Sequence, residues 1–230
     1  MALHFRHLCS ERRTNASVIQ LADFFAGTFR LAWPKRILAL MQCLQHCAHA
    51  PNVSIASMNA RLYFALWPDD GIRLQLARYR LQLARESEGR GVVPVTLHMT
   101  LAFLGDVDTQ QIPVLEKIGA SLVAAPFNYT VNVAGCFPKA RVAWLGSKEA
   151  PWHLFELQKK LQALLAAAQI GHDKRTFRPH ITVVRDVEKP FEDRAIPAVK
   201  WPVNQFCLVA ARSGSVGPEY EVLGGWTLRG

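Results

Sequence analysis

The chain has 230 residues, half of them hydrophobic, which is enough to bury a core as one compact domain or as two small lobes. A net charge of +9 and a pI near 9.6 favour a polyanionic partner, nucleic acid being the commonest. Five scattered cysteines speak against a disulfide framework and for a reducing compartment, the cytoplasm, and no apolar run of about 18 residues is present to cross a membrane.

Residues 1–57 hold six Lys or Arg and two acids. A basic, acid-poor stretch suits a transit peptide, but no apolar segment follows the early arginines, so a secretory leader is not expected. Met58 stands directly before the first strand pattern. The favoured expectation is therefore an over-called upstream start or a disordered extension over 1–57, without chemistry, and a folded domain over 58–230. Cys43, His46, Cys47 and His49 cluster in that first stretch. Their spacing matches no usual zinc pattern, and no metal is expected there.

Residues 61–67 read as a strand closed by Pro68-Asp69-Asp70. A helix follows over 69–87, with Asp69 or Asp70 as its N-cap and Leu74, Leu76, Ala77, Leu81, Leu83 and Ala84 as its apolar positions. Arg73, Arg78, Arg80 and Arg85 give it a basic side, read as a solvated face in preference to an RNA track. Pro94 introduces a strand over 96–104, closed by Gly105-Asp106, and Asp108 or Thr109 caps a second helix reaching Leu122. Two strands, 127–136 and 141–146, flank the Phe137-Pro138-Lys139 turn. Pro151 opens a third helix with Leu154, Leu157, Leu161, Leu164 and Leu165 as its stripe, ending at Gly171. Pro179 forces Arg178 into an extended conformation before a strand over 180–184. Strands over 203–211 and 220–228 finish the chain around a Gly214/Gly217-Pro218 turn. Strands interleaved with helices fit an α+β build, and periodicity alone leaves a parallel βαβ sheet open.

One pattern occurs twice in this order: His98-Met99-Thr100-Leu101 and His180-Ile181-Thr182-Val183. In a strand, His98 and Thr100 share one face, as do His180 and Thr182, with the apolar residues between them turned the other way. Polar side chains in otherwise apolar strands are costly to bury unpaired. They are either two hydrogen-bonded core histidines in unrelated strands, or two imidazoles that supply one base and one acid to a shared substrate. A helix precedes each copy, which suggests internal duplication.

With the residues around it, this repeat resembles the 2H phosphoesterase superfamily and, within it, the LigT-type RNA 2′,3′-cyclic phosphodiesterases, also called 2′-5′ RNA ligases. The matching stretches are 61–67, Leu97-His98-Met99-Thr100-Leu101-Ala102-Phe103-Leu104-Gly105, Phe137-Pro138, 141–146, Phe177-Arg178-Pro179-His180-Ile181-Thr182-Val183-Val184-Arg185, and Gly217-Pro218-Glu219-Tyr220 through Trp226. The resemblance implies two pseudo-symmetric lobes, each an antiparallel sheet with helices, and an active-site cleft between them. It implies His98 as proton donor, His180 as proton acceptor, and Thr100 and Thr182 as phosphate contacts. Arg185 matches a basic substrate-binding position. Five residues beyond His180, however, it falls on the opposite face of an ideal strand, so the strand must end or bulge to bring it to phosphate.

The implied activity is hydrolysis of RNA 2′,3′-cyclic phosphate ends to a 2′-phosphate, without metal or cofactor, by a monomer acting on RNA such as tRNA fragments. Reversible 2′-5′ joining accompanies it. Two alternatives remain open: a phosphodiesterase for small cyclic nucleotides, and an RNA- or nucleotide-binding module without turnover. His153 and His172, beside helix ends, are expected to be exposed and structural. Tyr63, Phe64, Phe103 and Trp144 are expected in the core in preference to stacking a base.

Overall fold

The computed structural model describes residues 59–213 and 218–230. The readings placed on 1–57, the Cys43/His46/Cys47/His49 cluster among them, and on the turn at 214–217 lie outside the described residues.

Strand β1 (Asn59–Leu66) alternates sharply between two apolar environments. Leu62, Phe64 and Leu66 enter the main core, while Tyr63 and Ala65 join a smaller cluster with Cys207 and Val209. Helix α1 (Asp70–Glu86) starts where Asp69 accepts the Ile72 N–H at 2.9 Å, and ends where the buried Ser87 hydroxyl donates to the Leu83 carbonyl at 2.6 Å. Ile72, Leu76 and Leu83 form its buried stripe. Leu74 and Leu81 are exposed instead, because each stands two residues from a buried position, Ile72 and Leu83 respectively, and two residues turn a helix by about 200°. Its arginines are partly structural: Arg73 pairs with Asp70, and Arg80 donates to the Gly91 carbonyl.

The chain then forms β2 (Arg90–Gly91), β3 (Met99–Asp108), α2 (Ile112–Ser121), β4 (Phe127–Phe137), β5 (Val142–Gly146), α3 (Trp152–Ala167), β6 (Ile181–Arg185), β7 (Arg194–Val203), β8 (Gln205–Ser213) and β9 (Pro218–Thr227). The sheet order is β7-β4-β5-β6-β3-β1-β8-β9, with β2 added to β6, and every pairing is antiparallel. The parallel βαβ alternative is thereby excluded, and the α+β class holds. The third helix ends at Ala167, short of Gly171, and Leu164 is only half-buried.

Two strands escape the sequence reading. β2 has only two residues, and β7 contains Pro197 and Pro202, which argue against a sheet interior. β7 is in fact an edge strand on β4, where a missing N–H can face away from the ladder.

The sheet has two halves. Helices α2 and α3 lie against β9, β8 and β3, whereas α1 lies against β6, β2 and β7. The halves join where β3 meets β6, through the pair Met99↔Ile181. Both of those side chains are fully buried, each contributing about 1.5–3 kcal/mol as apolar burial. No helix among the described residues is long and apolar enough to cross a membrane.

Candidate active site

The seam between the half-sheets is where the repeated motif lies. Because Met99 pairs antiparallel with Ile181, one residue further each way sets His98 opposite Thr182 and Thr100 opposite His180. The arrangement has local two-fold symmetry about the Met99/Ile181 pair. Met99 and Ile181 point into the core, so both histidines and both threonines point to the other face. Diagonal neighbours in such a ladder stand about 7–8 Å apart, which leaves room for one phosphoryl group between the two rings. The rings are thus neighbours at the seam of one sheet.

Each motif strand then bulges at the same place. In β3, Ala65 pairs with Thr100 but Phe64 pairs with Ala102, so Leu101 is the extra residue. In β6, Trp144 pairs with Thr182 but Ala143 pairs with Val184, so Val183 is the extra residue. A bulge reverses the alternation beyond it. Arg185, paired with Val142, therefore returns to the face of Thr182. The parity obstacle posed by the sequence is removed by Val183. Phe103, the same distance after Thr100, returns likewise to the motif face, and it is 38% exposed.

The two imidazoles are oriented identically. Nδ1 of His98 lies 2.6 Å from the Thr96 carbonyl, and Nδ1 of His180 lies 2.7 Å from the Arg178 carbonyl. A carbonyl only accepts, so Nδ1 carries the hydrogen in both rings and Nε2 is left free for chemistry. His172 makes the same bond to the Ile170 carbonyl, so this contact orients a ring without marking it as catalytic.

Surroundings separate the pair. His98 is mostly buried, stacked on Tyr63 at 4.8 Å and on Trp67 at 5.3 Å. Burial, followed by the charges of Arg185 and His180, lowers its pKa to about 4. His180, in edge contact with Phe137 at 5.2 Å, is lowered by burial and by Arg185. Both rings are thereby held towards the neutral form. An anion placed between them opposes the Arg185 contribution, and the faces of Tyr63 and Trp67 favour an imidazolium at His98 by cation–π attraction.

A cavity of about 680 Å³ opens on this face, lined by Thr100, Phe103, Phe137, His180, Thr182 and Arg185 among others. His98 is not on its wall, lying beside Thr182 in the aromatic niche. Arg185 makes no ion pair with another described residue, and neither threonine hydroxyl is engaged by one, so all three are available to an anion. Among the described residues no group of three or more His, Cys, Asp or Glu is arranged to hold a metal.

A family model of the 2′-5′ RNA ligase superfamily matches residues 68–214. The chain belongs to this superfamily. It is 31% identical over 170 residues to the RNA 2′,3′-cyclic phosphodiesterase of Escherichia coli, covering 73% of this chain and 96% of that protein. The protein of the same name from Thermus thermophilus is 30% identical over 181 residues, covering 74% and 91%. In three dimensions the chain is similar to E. coli LigT crystallised with 3′-AMP, with a TM-score of 0.67, 29% identity, and coverage of 74% of this chain and 98% of that one.

Several features of the site are not legible in the motif itself. Phe103 lines the cavity and is not a core residue, whereas Phe64 is fully buried as expected. Tyr63 and Trp67 are readable as same-face neighbours from the alternation in β1, but not as partners of His98. Gln158, Arg175, Phe177 and Arg178 also reach the cavity. Phe177 and Arg178 lie in the stretch that carries the second motif, whereas Gln158 and Arg175 have no signal in any motif, because α3 and the segment after it meet the sheet only by tertiary packing. His153 and His172 are half-buried, and His153 stacks on Trp152 at 3.8 Å.

Proposed function

We propose that this protein hydrolyses RNA ends that carry a 2′,3′-cyclic phosphate, giving a 2′-phosphate and a free 3′-hydroxyl. The observation that carries the proposal is the Met99↔Ile181 pairing, which assembles two incomplete His-x-Thr halves into one symmetric set, with Thr100, His180 and Thr182 on the wall of a basic cavity and His98 beside Thr182.

Nε2 of His180 accepts a proton from the attacking water, whose oxygen bonds to phosphorus. The bond from phosphorus to the ribose 3′ oxygen breaks, and Nε2 of His98 delivers a proton to that oxygen. Each transfer is worth about 10²–10⁴-fold. The hydroxyls of Thr100 and Thr182 and the fork of Arg185 hold the non-bridging oxygens, where charge builds. His98 takes up its proton together with the anionic substrate, because that charge offsets the one on Arg185. The rings already supply acid and base, so the reaction proceeds without metal. With a 5′-hydroxyl in place of water as the nucleophile, the same geometry joins that end to the cyclic phosphate: its oxygen bonds to phosphorus, the bond to the ribose 3′ oxygen breaks, and a 2′-5′ linkage results.

The reading extends to a monomer working in the cytoplasm, with cleaved tRNA as one source of such ends. The test is incubation of the purified protein with an oligoribonucleotide ending in a 2′,3′-cyclic phosphate, in excess EDTA. Appearance of the 2′-phosphomonoester, abolished by His180→Ala, is expected. A product formed only on addition of a divalent metal would overturn the mechanism.

A further inference from the structure

The catalytic cavity does not end at the motif. A second cavity of about 510 Å³, within the range of roughly 300–1,000 Å³ usual for ligand sites, adjoins it. The two share Gln158, Gln162, Arg175, Thr176 and Phe177 as lining, so they form one trough between α3 and residues 172–177. That segment is tied to the motif strand, since the Asp173 N–H donates to the Phe103 carbonyl at 2.9 Å.

The trough is basic along its length. Arg178 and Arg185 line the catalytic part, Arg175 the junction, and Lys159 and Lys174 the outer part; Asp173 is the one carboxylate among the described lining residues. Asp173 is already engaged by Arg175, at 2.8 Å and 3.0 Å from its Nε. Lys159 and Lys174 are exposed and have no ion-pair partner among the described residues. Phe177, in edge contact with Phe155 at 6.0 Å, stands at the junction as a flat apolar surface. Alternating cations and an aromatic face along a groove suit a single-stranded polynucleotide, whose phosphates and bases alternate in the same way.

We propose that this outer trough is the track for the RNA strand on the 5′ side of the reacting terminus, with Lys159 and Lys174 contacting its phosphodiesters and Phe177 stacking a base. The inference rests on the hydrolytic reading above and adds to it: the enzyme prefers an oligonucleotide end to a mononucleotide. The basic side of α1 is the weaker route, because Arg73 and Arg80 are committed to local contacts and Gly89, just after that helix, sits against Val184 on the opposite face of β6.

The test uses the Lys159→Gln/Lys174→Gln double variant, altered at two exposed positions outside the catalytic set. Substrates are adenosine 2′,3′-cyclic phosphate and a five-nucleotide RNA with the same terminus. A phosphate contact on single-stranded nucleic acid contributes about 0.7 to the salt slope, hence roughly fourfold in affinity at about 0.15 M salt. The double variant should therefore lose about tenfold in kcat/KM on the oligonucleotide, with a flatter salt dependence, and nothing on the mononucleotide. Equal losses on both substrates, or none on either, would overturn the track. If the wild-type protein opens neither substrate, the hydrolytic reading falls. Anisotropy with a labelled five-nucleotide RNA ending in a 3′-phosphate then still decides the track, which fails if both proteins bind it alike.

Discussion

Arg185 gives the sharpest test, because only the bulge at Val183 brings it to the face that carries both motifs. Its guanidinium is exposed, lacks an ion-pair partner among the described residues, and depresses the pKa of both His98 and His180. A hydrogen bond to a charged group contributes about 1.5–3 kcal/mol. Arg185→Gln should accordingly lower kcat/KM on a cyclic-phosphate oligonucleotide by about 10- to 150-fold, with little change in melting temperature. A second effect has a fixed sign. Removing the cation raises the pKa of the ring that must be neutral to act as base, so the acid limb of kcat/KM moves to higher pH. Steady-state rates across about pH 4.5–8, for wild type, Arg185→Gln and Arg185→Lys, measure both effects. Lysine should restore the position of the acid limb better than the rate, since it supplies the charge but not the two-pronged geometry. If Arg185→Gln left both the rate and the acid limb where they were, the guanidinium would not face the reacting phosphate.

His98→Ala and His180→Ala should each reduce kcat by about 10²–10⁴-fold, and the double variant should lose far less than the product of the two, because the rings act as a unit. Burial holds the His98 pKa at about 4, against about 6.5 in an unfolded chain. Between those values the unfolded state binds the extra proton, so stability is fully present above about pH 6.5 and falls as the pH drops towards 4, by up to about 1.4 kcal/mol per pH unit. Urea titrations of wild type and His98→Gln at about pH 7 and pH 5 check this, the variant losing less. A Cβ at Gly89 would stand 2.5 Å from Val184 Cγ1 and 2.9 Å from the Arg185 carbonyl. Gly89→Ala should cost about 1–3 kcal/mol of overpacking, seen as a lower denaturation midpoint; an unchanged midpoint would mean that the contact relaxes freely.

Much was legible in the sequence because its signals are local. Asp69 and Ser87 bound α1 where the capping pattern places them, and the Leu154, Leu157, Leu161 and Leu165 stripe is buried as its period demands. The two His-x-Thr copies mark their strands because only a strand sets a histidine and the second residue after it on one face. Strand β7 was not legible: Pro197 and Pro202 argue locally against a strand, and what permits it is its place at the edge beside β4.

By itself, then, the sequence determined most of the elements and which polar side chains share a face of them, since caps, periodicity and strand alternation depend only on near neighbours. Tertiary structure decided what those side chains can do together. Pairing Met99 with Ile181 sets the two halves side by side at one seam, and the bulges at Leu101 and Val183 turn Phe103 and Arg185 into the cavity. Those outcomes depend on which strand lies alongside and in what register, and register is fixed by burying one face of a sheet assembled from distant parts of the chain.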